Sequence, residues 1–158
     1  MSEEQTFELS LEQVEDFEFR VRFDGTAIRD LATDEPPPLG HAAGPNPARL
    51  LLAGVANCLA ASLLFALRKF RDAPGRLQAK ARARMTRNDK GRWRIAGIEV
   101  DLQLTDAAAA LPHLERALAQ FEDFCIVTES VRAGVPVAVR VHDAEGNEVH
   151  VTTADAAG

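Results

Sequence analysis

Between Leu50 and Leu67 the chain carries no charged residue, and a helix with no polar face must be sealed inside protein or immersed in lipid. Its ends are well punctuated. Asn46 is a good N-cap and Pro47 a good first helical residue. Arg68, Lys69 and Arg71 complement the C-terminal end of the helix dipole before Pro74-Gly75, which are expected to stop it. The run approaches the ~20 residues that span a bilayer. Asn57, Cys58 and Ser62 at mid-span, with amphipathic segments on both sides, favour instead a core helix covered by protein on nearly all sides, so no membrane partner is expected.

Much of the remaining chain has the two-residue period of strands. Phe7, Leu9 and Leu11 alternate with polar residues, and Phe17, Phe19, Val21 and Phe23 alternate with Glu18, Arg20 and Arg22. Asp24-Gly25 predicts a turn toward a short strand from Ala27 to Leu31, and the Pro- and Gly-rich stretch from Ala32 to Pro45 predicts a loop. Leu77, Ala79, Ala81, Ala83 and Met85 oppose Gln78, Lys80, Arg82 and Arg84, a strand with one basic face. Asn88 to Gly91 reads as a hairpin turn into Trp93 through Leu104, and the alternation slips at Ala96-Gly97, where a β-bulge is expected.

Further on, Leu111, Leu114, Leu118 and Phe121 have helical spacing, with Pro112 in the first turn. Gln120 to Asp123 interrupt this helix before a second cysteine-bearing helix that ends near Gly134. A last hairpin places Val135, Val137, Val139 and Val141 against Val149 and Val151 across a turn at Ala144 to Asn147, and residues beyond Thr153 read as a disordered tail. The expectation is one α+β domain over residues 1–153, antiparallel sheets wrapped around a long central apolar helix. A single protomer would leave part of that helix bare, so a homodimer is expected.

With 158 residues, 46% of them hydrophobic, and a net charge of −6, the chain can bury a core but has no general affinity for polyanions. The basic strand lacks interleaved aromatics, so no nucleic-acid partner is expected. The acidic start, Met1 to Gln5, lacks the pattern of a signal peptide and points to the cytoplasm. In that reducing compartment Cys58 and Cys125, the only two cysteines, are not expected to form a structural disulfide. Thiols are the strong nucleophiles here, although free cysteine is also among the most buried residue types, and packing remains open for each. Asn57 beside Cys58 can donate a hydrogen bond to a thiolate or satisfy a backbone group. His41, His113, His142 and His150 are scattered without ligand spacing, so no metal site is expected, and nothing in the sequence calls for a cofactor.

The segment Gly44-Pro45-Asn46-Pro47, then Leu50-Leu51-Leu52-Ala53-Gly54, Ala56 and Cys58, followed much later by Phe124-Cys125 and Val127 and a terminal Val-rich hairpin, resembles the osmotically inducible protein C and organic hydroperoxide resistance (OsmC/Ohr) family from about Phe17 to Thr152. The resemblance implies an intertwined homodimer and a thiol-dependent peroxidase that reduces apolar organic hydroperoxides. It makes Cys58 the attacking thiol and Cys125 the resolving one, with an external dithiol as reductant. Members also carry an activating arginine from an N-terminal strand, for which Arg20 and Arg22 are the candidates, oriented by a glutamate just after the helix-opening proline. Ala48 and Arg49 occupy that glutamate's two positions, and Ile126 replaces the usual proline after the second cysteine. Arg49 lies nine residues before Cys58, about 13.5 Å along a helix, too far for its side chain to reach the sulfur easily. Retention of both thiols favours the peroxidase. Loss of the glutamate favours a non-catalytic member of the same fold that binds an apolar ligand or partner.

Overall fold

The alternating Phe and Leu residues at the start of the chain build an antiparallel sheet. The computed structural model describes residues 3–134, 139–142 and 148–152. Strands β1 (Leu9–Glu15) and β2 (Glu18–Phe23) pair with Leu9 opposite Phe23, Leu11 opposite Val21 and Gln13 opposite Phe19, so one face is apolar. Glu12 opposite Arg20 and Ser10 opposite Arg22 form the polar face. Strand β3 (Leu31–Thr33) joins β2 in the order β1-β2-β3. It begins where the predicted strand was to end, because Thr26 Oγ1 donates to the Phe23 carbonyl at 2.7 Å and prolongs the turn past Ala27. Within these strands Val21 and Thr33 are buried, whereas every residue of β1 is exposed and Phe7 is 93% exposed.

Asp34 organises the loop that follows. Its buried carboxylate accepts the backbone N–H groups of Glu35, His41 and Ala43 at 2.8, 2.9 and 3.1 Å. Hydrogen bonds from Ala43 and His41 outweigh burial and hold this carboxyl below its usual range. Gly40 is required by close approach, since a Cβ there would fall on the Asp34 carboxylate.

Helix α1 (Pro47–Lys69) starts as the sequence indicates, with the Arg49 N–H donating to Asn46 Oδ1 at 3.1 Å. It stops earlier than Pro74-Gly75. The Asp72 N–H donates to the Leu67 carbonyl and the Arg71 N–H to that of Arg68, both at 3.0 Å, with Arg71 left-handed at φ 67°. This is a Schellman cap with arginine where glycine is usual. The helix is not covered on nearly all sides. Val55, Leu59, Ser62, Leu63, Ala66 and Leu67 form one buried stripe, and the rest of the helix is half-buried or exposed. Leu51 and Phe65 are exposed.

Strands β4 (Leu77–Arg87) and β5 (Trp93–Leu104) form a hairpin closed by Asn88, whose Oδ1 accepts from the Lys90 and Arg92 amides, with Gly91 at φ 72°. Half-buried positions in β5 run 95, 97 and then 98, 100, 102, 104, a change of phase beside Gly97. The expected helix from Leu111 is shortened. A 3-10 turn at Ala108–Ala110 precedes Leu111, whose non-helical backbone before Pro112, φ −121° and ψ 83°, delays the start of α2 (Leu114–Leu118). A second 3-10 turn, Phe121–Phe124, leads to α3 (Ile126–Ala133), which ends at Gly134 with φ 73°. Strands β6 (Val139–His142) and β7 (Glu148–Thr152) pair antiparallel. Val135, Val137, the turn at 144–147 and the tail beyond Thr153 lie outside the described residues.

Two compact units result, one from residues up to Gly54 with Ala81–Glu99, the other from Val55–Lys80 with residues from Val100 onward. The core of the second unit is Leu63, Ala66, Leu67, Leu111 and Ala117, flanked by Phe70, Leu77, Leu102, Leu104, Leu114, Phe121 and Phe124. Beside it the buried Asp72 carboxylate accepts the His113 backbone N–H at 3.0 Å and meets His113 Nδ1 at 3.0 Å, tying the chain after α1 to the start of α2.

Candidate active site

Both cysteines belong to the second unit, and the fold brings them close enough for Cys58 to influence the ionisation of Cys125. Cys58 sits in the middle of α1 and is half-buried. Cys125 is not inside a helix as the sequence suggests. It is the N-cap of α3, with extended backbone at φ −85° and ψ 90°, and it is fully buried.

The surroundings of Cys125 favour its thiolate. Burial alone would push the thiol up, but the polar groups around it, the Thr128 hydroxyl first and then Cys58, the Thr128 backbone N–H and Ser62, outweigh it and bring the thiol below its usual range. Cys125 Sγ lies 3.0 Å from Thr128 Oγ1. A hydroxyl rotor can accept from the thiol and donate to the thiolate, so this contact survives ionisation. Thr128 and Ser62 were not singled out from sequence as site residues. The available signals were spacings: Thr128 is the third residue of α3 counted from its N-cap, and Ser62 lies one turn after Cys58 on the same face.

Cys58, Ala61, Ser62, Phe65 and Phe124 line a cleft of about 410 Å³. The Phe65 and Phe124 rings meet edge to face, centroids 5.1 Å apart and planes at 77°. The cleft thus offers apolar contact to a ligand and one sulfur, that of Cys58. Asn57 is not in its lining. It lines a separate cleft of about 460 Å³ with Ala60, Ala61, Leu64, Arg68 and residues Gly75 to Gln78.

The arginine candidates belong to the first unit. Arg22 is engaged by Glu12 and Asp30, each at 3.5 Å, and Arg20 lies on the same polar face of β2 opposite Glu12. Arg49 lines a cleft with Asn46, Ala48, Leu52 and Arg82. At that end of α1 the carboxylate of Glu35 accepts Asn46 Nδ2 at 3.2 Å, so an acid from the preceding loop stands beside the turn that carries Ala48.

A sequence profile of the family described as OsmC-like protein matches residues 40–140, which includes both cysteines. None of the curated proteins matches the chain. Among solved structures, an OsmC-like protein of unknown function from Vibrio cholerae is 16% identical with a TM-score of 0.67, over 80% of this chain and 94% of that one. An organic hydroperoxide resistance protein OsmC from Legionella pneumophila is 14% identical with a TM-score of 0.64, over 83% and 92%. The organic hydroperoxide resistance protein OhrB of Bacillus subtilis is 16% identical with a TM-score of 0.59, over 82% and 93%. At these identities the likeness is one of fold: α+β, with antiparallel sheets and a long helix.

Proposed function

The chain belongs to the OsmC-like protein family, and on that footing we propose that it is a thiol-dependent peroxidase that reduces organic hydroperoxides to alcohols. The observation that carries this reading is a pair of neighbouring thiols of unequal access, Cys58 open to an apolar cleft and Cys125 buried. Similar folds in proteins named for organic hydroperoxide resistance support it.

The Cys58 thiolate attacks the distal peroxide oxygen. An S–O bond forms as the O–O bond breaks, and the alkoxide takes a proton and leaves as the alcohol. Sulfur, oxidised by two electrons, becomes a sulfenic acid. The Cys125 thiolate then attacks the Cys58 sulfur, the hydroxyl leaves as water with one further proton, and a Cys58–Cys125 disulfide closes. An external dithiol restores both thiols by exchange. The hydrogen bonds that lower Cys125 suit the second step, because an attacking thiol works best with its pKa near the ambient pH.

The working protein in this reading is an intertwined cytoplasmic homodimer whose second copy covers Phe7, Leu9 and Leu11 and the bare side of α1. Light scattering at micromolar concentration tests the assembly, and a monomer there would contradict it. The chemistry is tested by intact mass after one equivalent of cumene hydroperoxide under anaerobic conditions. Loss of two hydrogens per chain is expected. An unchanged mass would leave the non-catalytic, ligand-binding reading in its place.

A further inference from the structure

The helix face that carries Cys58 does not end in apolar residues. Cys58, Ser62, Phe65 and Lys69 follow one another at steps of three or four and so share one side of α1. Phe124, which closes the cleft opposite Phe65, also lies under the Lys69 ammonium, with Nζ 4.8 Å from its ring centroid and 5.8 Å from that of Phe70. The Arg116 guanidinium stands 4.6 Å from the Phe70 centroid. Lys69 therefore stands at the aromatic end of the groove, and Arg116 on Phe70, the second ring that Lys69 touches. Neither pairs with a carboxylate among the described residues, whereas nearby Glu122 and Glu129 are both taken by Arg132. Ring faces attract a cation but leave its need for a counter-anion unmet.

We propose that Lys69, seconded by Arg116, is a specificity-determining residue that binds the carboxylate of an amphiphilic substrate while its hydroperoxide lies at Cys58. This rests on the peroxidase reading and deepens it. Lys69 is eleven residues beyond Cys58, about 16 Å along the axis, and a helical side chain leans back toward the N-terminus. A head group and an O–O bond some 10–16 Å apart fit this span, which corresponds to a long-chain fatty acid oxidised in mid-chain. The alkyl segment between them lies against Ala61, Phe65 and Phe124.

The test compares kcat/KM of the full-length protein for linoleic acid hydroperoxide and for its methyl ester, and separately the affinity of the reduced protein for oleate below its micellar concentration. The acid should be preferred about fivefold at low salt, the scale of one exposed ion pair. That preference should vanish in molar salt and in Lys69→Gln, persist in Lys69→Arg, and weaken in Arg116→Gln. Equal rates for acid and ester in the wild type, or a preference indifferent to Lys69→Gln, would overturn the proposal. If neither hydroperoxide is consumed, the peroxidase reading itself fails and oleate decides the anchor alone. A fivefold weaker oleate affinity in Lys69→Gln then upholds it, and an unchanged affinity overturns it.

Discussion

The turn of α1 around Cys58 and the turn that begins α3 at Cys125 carry the same functional group in opposite settings. Cys58 has access, half-buried in an uncharged helix with an open apolar cleft before it. Cys125 has no exposure but holds the hydrogen bonds and the helix N-terminus. The difference teaches that reachability and thiolate stabilisation are separable, and that here they are found at two neighbouring residues. One sulfur faces the cleft, and the other holds the hydrogen bonds.

The largest effect expected of this division is an asymmetry of single mutants. Cys58→Ser should abolish peroxide consumption, whereas Cys125→Ser should permit one oxidation and stall as a sulfenic acid that a dimedone-type trap reports. Equal first-turnover rates for Cys58→Ser and wild type would remove Cys58 from the mechanism. A smaller effect belongs to Thr128→Val, which keeps the shape and deletes the hydroxyl beside Cys125. Disulfide closure, followed by rapid quench and mass, should slow about tenfold, the scale of one hydrogen bond to a charged acceptor. Closure at the wild-type rate would mean that the N-terminus of α3 and Ser62 suffice.

Linkage sharpens the comparison further. Because the folded Cys125 thiol lies below its ordinary value of 9.0, its ionisation adds stability that is fully present above about pH 9 and is lost as pH falls through the folded value. Wild type minus Cys125→Ser, measured by denaturant unfolding of the reduced proteins, should therefore grow more favourable toward pH 9. Asp34 acts in the same sense at the acid end. Its contribution is present above its ordinary 3.8 and lost as pH falls through its lower folded value. The smallest effect concerns the first turns of the two helices. The first turn of α3 contains Glu129 and that of α1 no acid, so Ala48→Glu should stabilise the chain by about 0.5 kcal/mol through the dipole alone. Faster Cys58 alkylation in the same variant would show that it also orients an arginine.

What the sequence revealed depended on how local the cause was. The Asn46 cap, the Asn88–Gly91 turn and the alternation in β1 and β2 are set by neighbouring residues and could be read directly. The end of α1 could not, since Arg71 adopts a backbone conformation that its type disfavours and the Schellman bonds outweigh it. The helix expected from Leu111 was shortened by the restriction that Pro112 places on its predecessor. Helix α1 looked sealed because composition records that a face is apolar and not what covers it. The meeting of Cys58 and Cys125 has no signature in spacing, and only the family resemblance suggested it. Lys69 reads in sequence as a dipole complement, and its place over Phe124 is a tertiary fact.

The bare face of β1 also bears on how the chain survives its own synthesis. Strand β1 is an edge of its sheet, with unpaired backbone groups on one side and Leu9 and Leu11 standing in water. In a newly released chain that edge can pair with any other exposed strand it meets. Mass action sets the rate of such encounters, so the hazard rises with the concentration of chains that expose a free edge. Glu8, Ser10 and Glu12, alternating with the apolar residues, keep the opposite face of the strand wettable throughout.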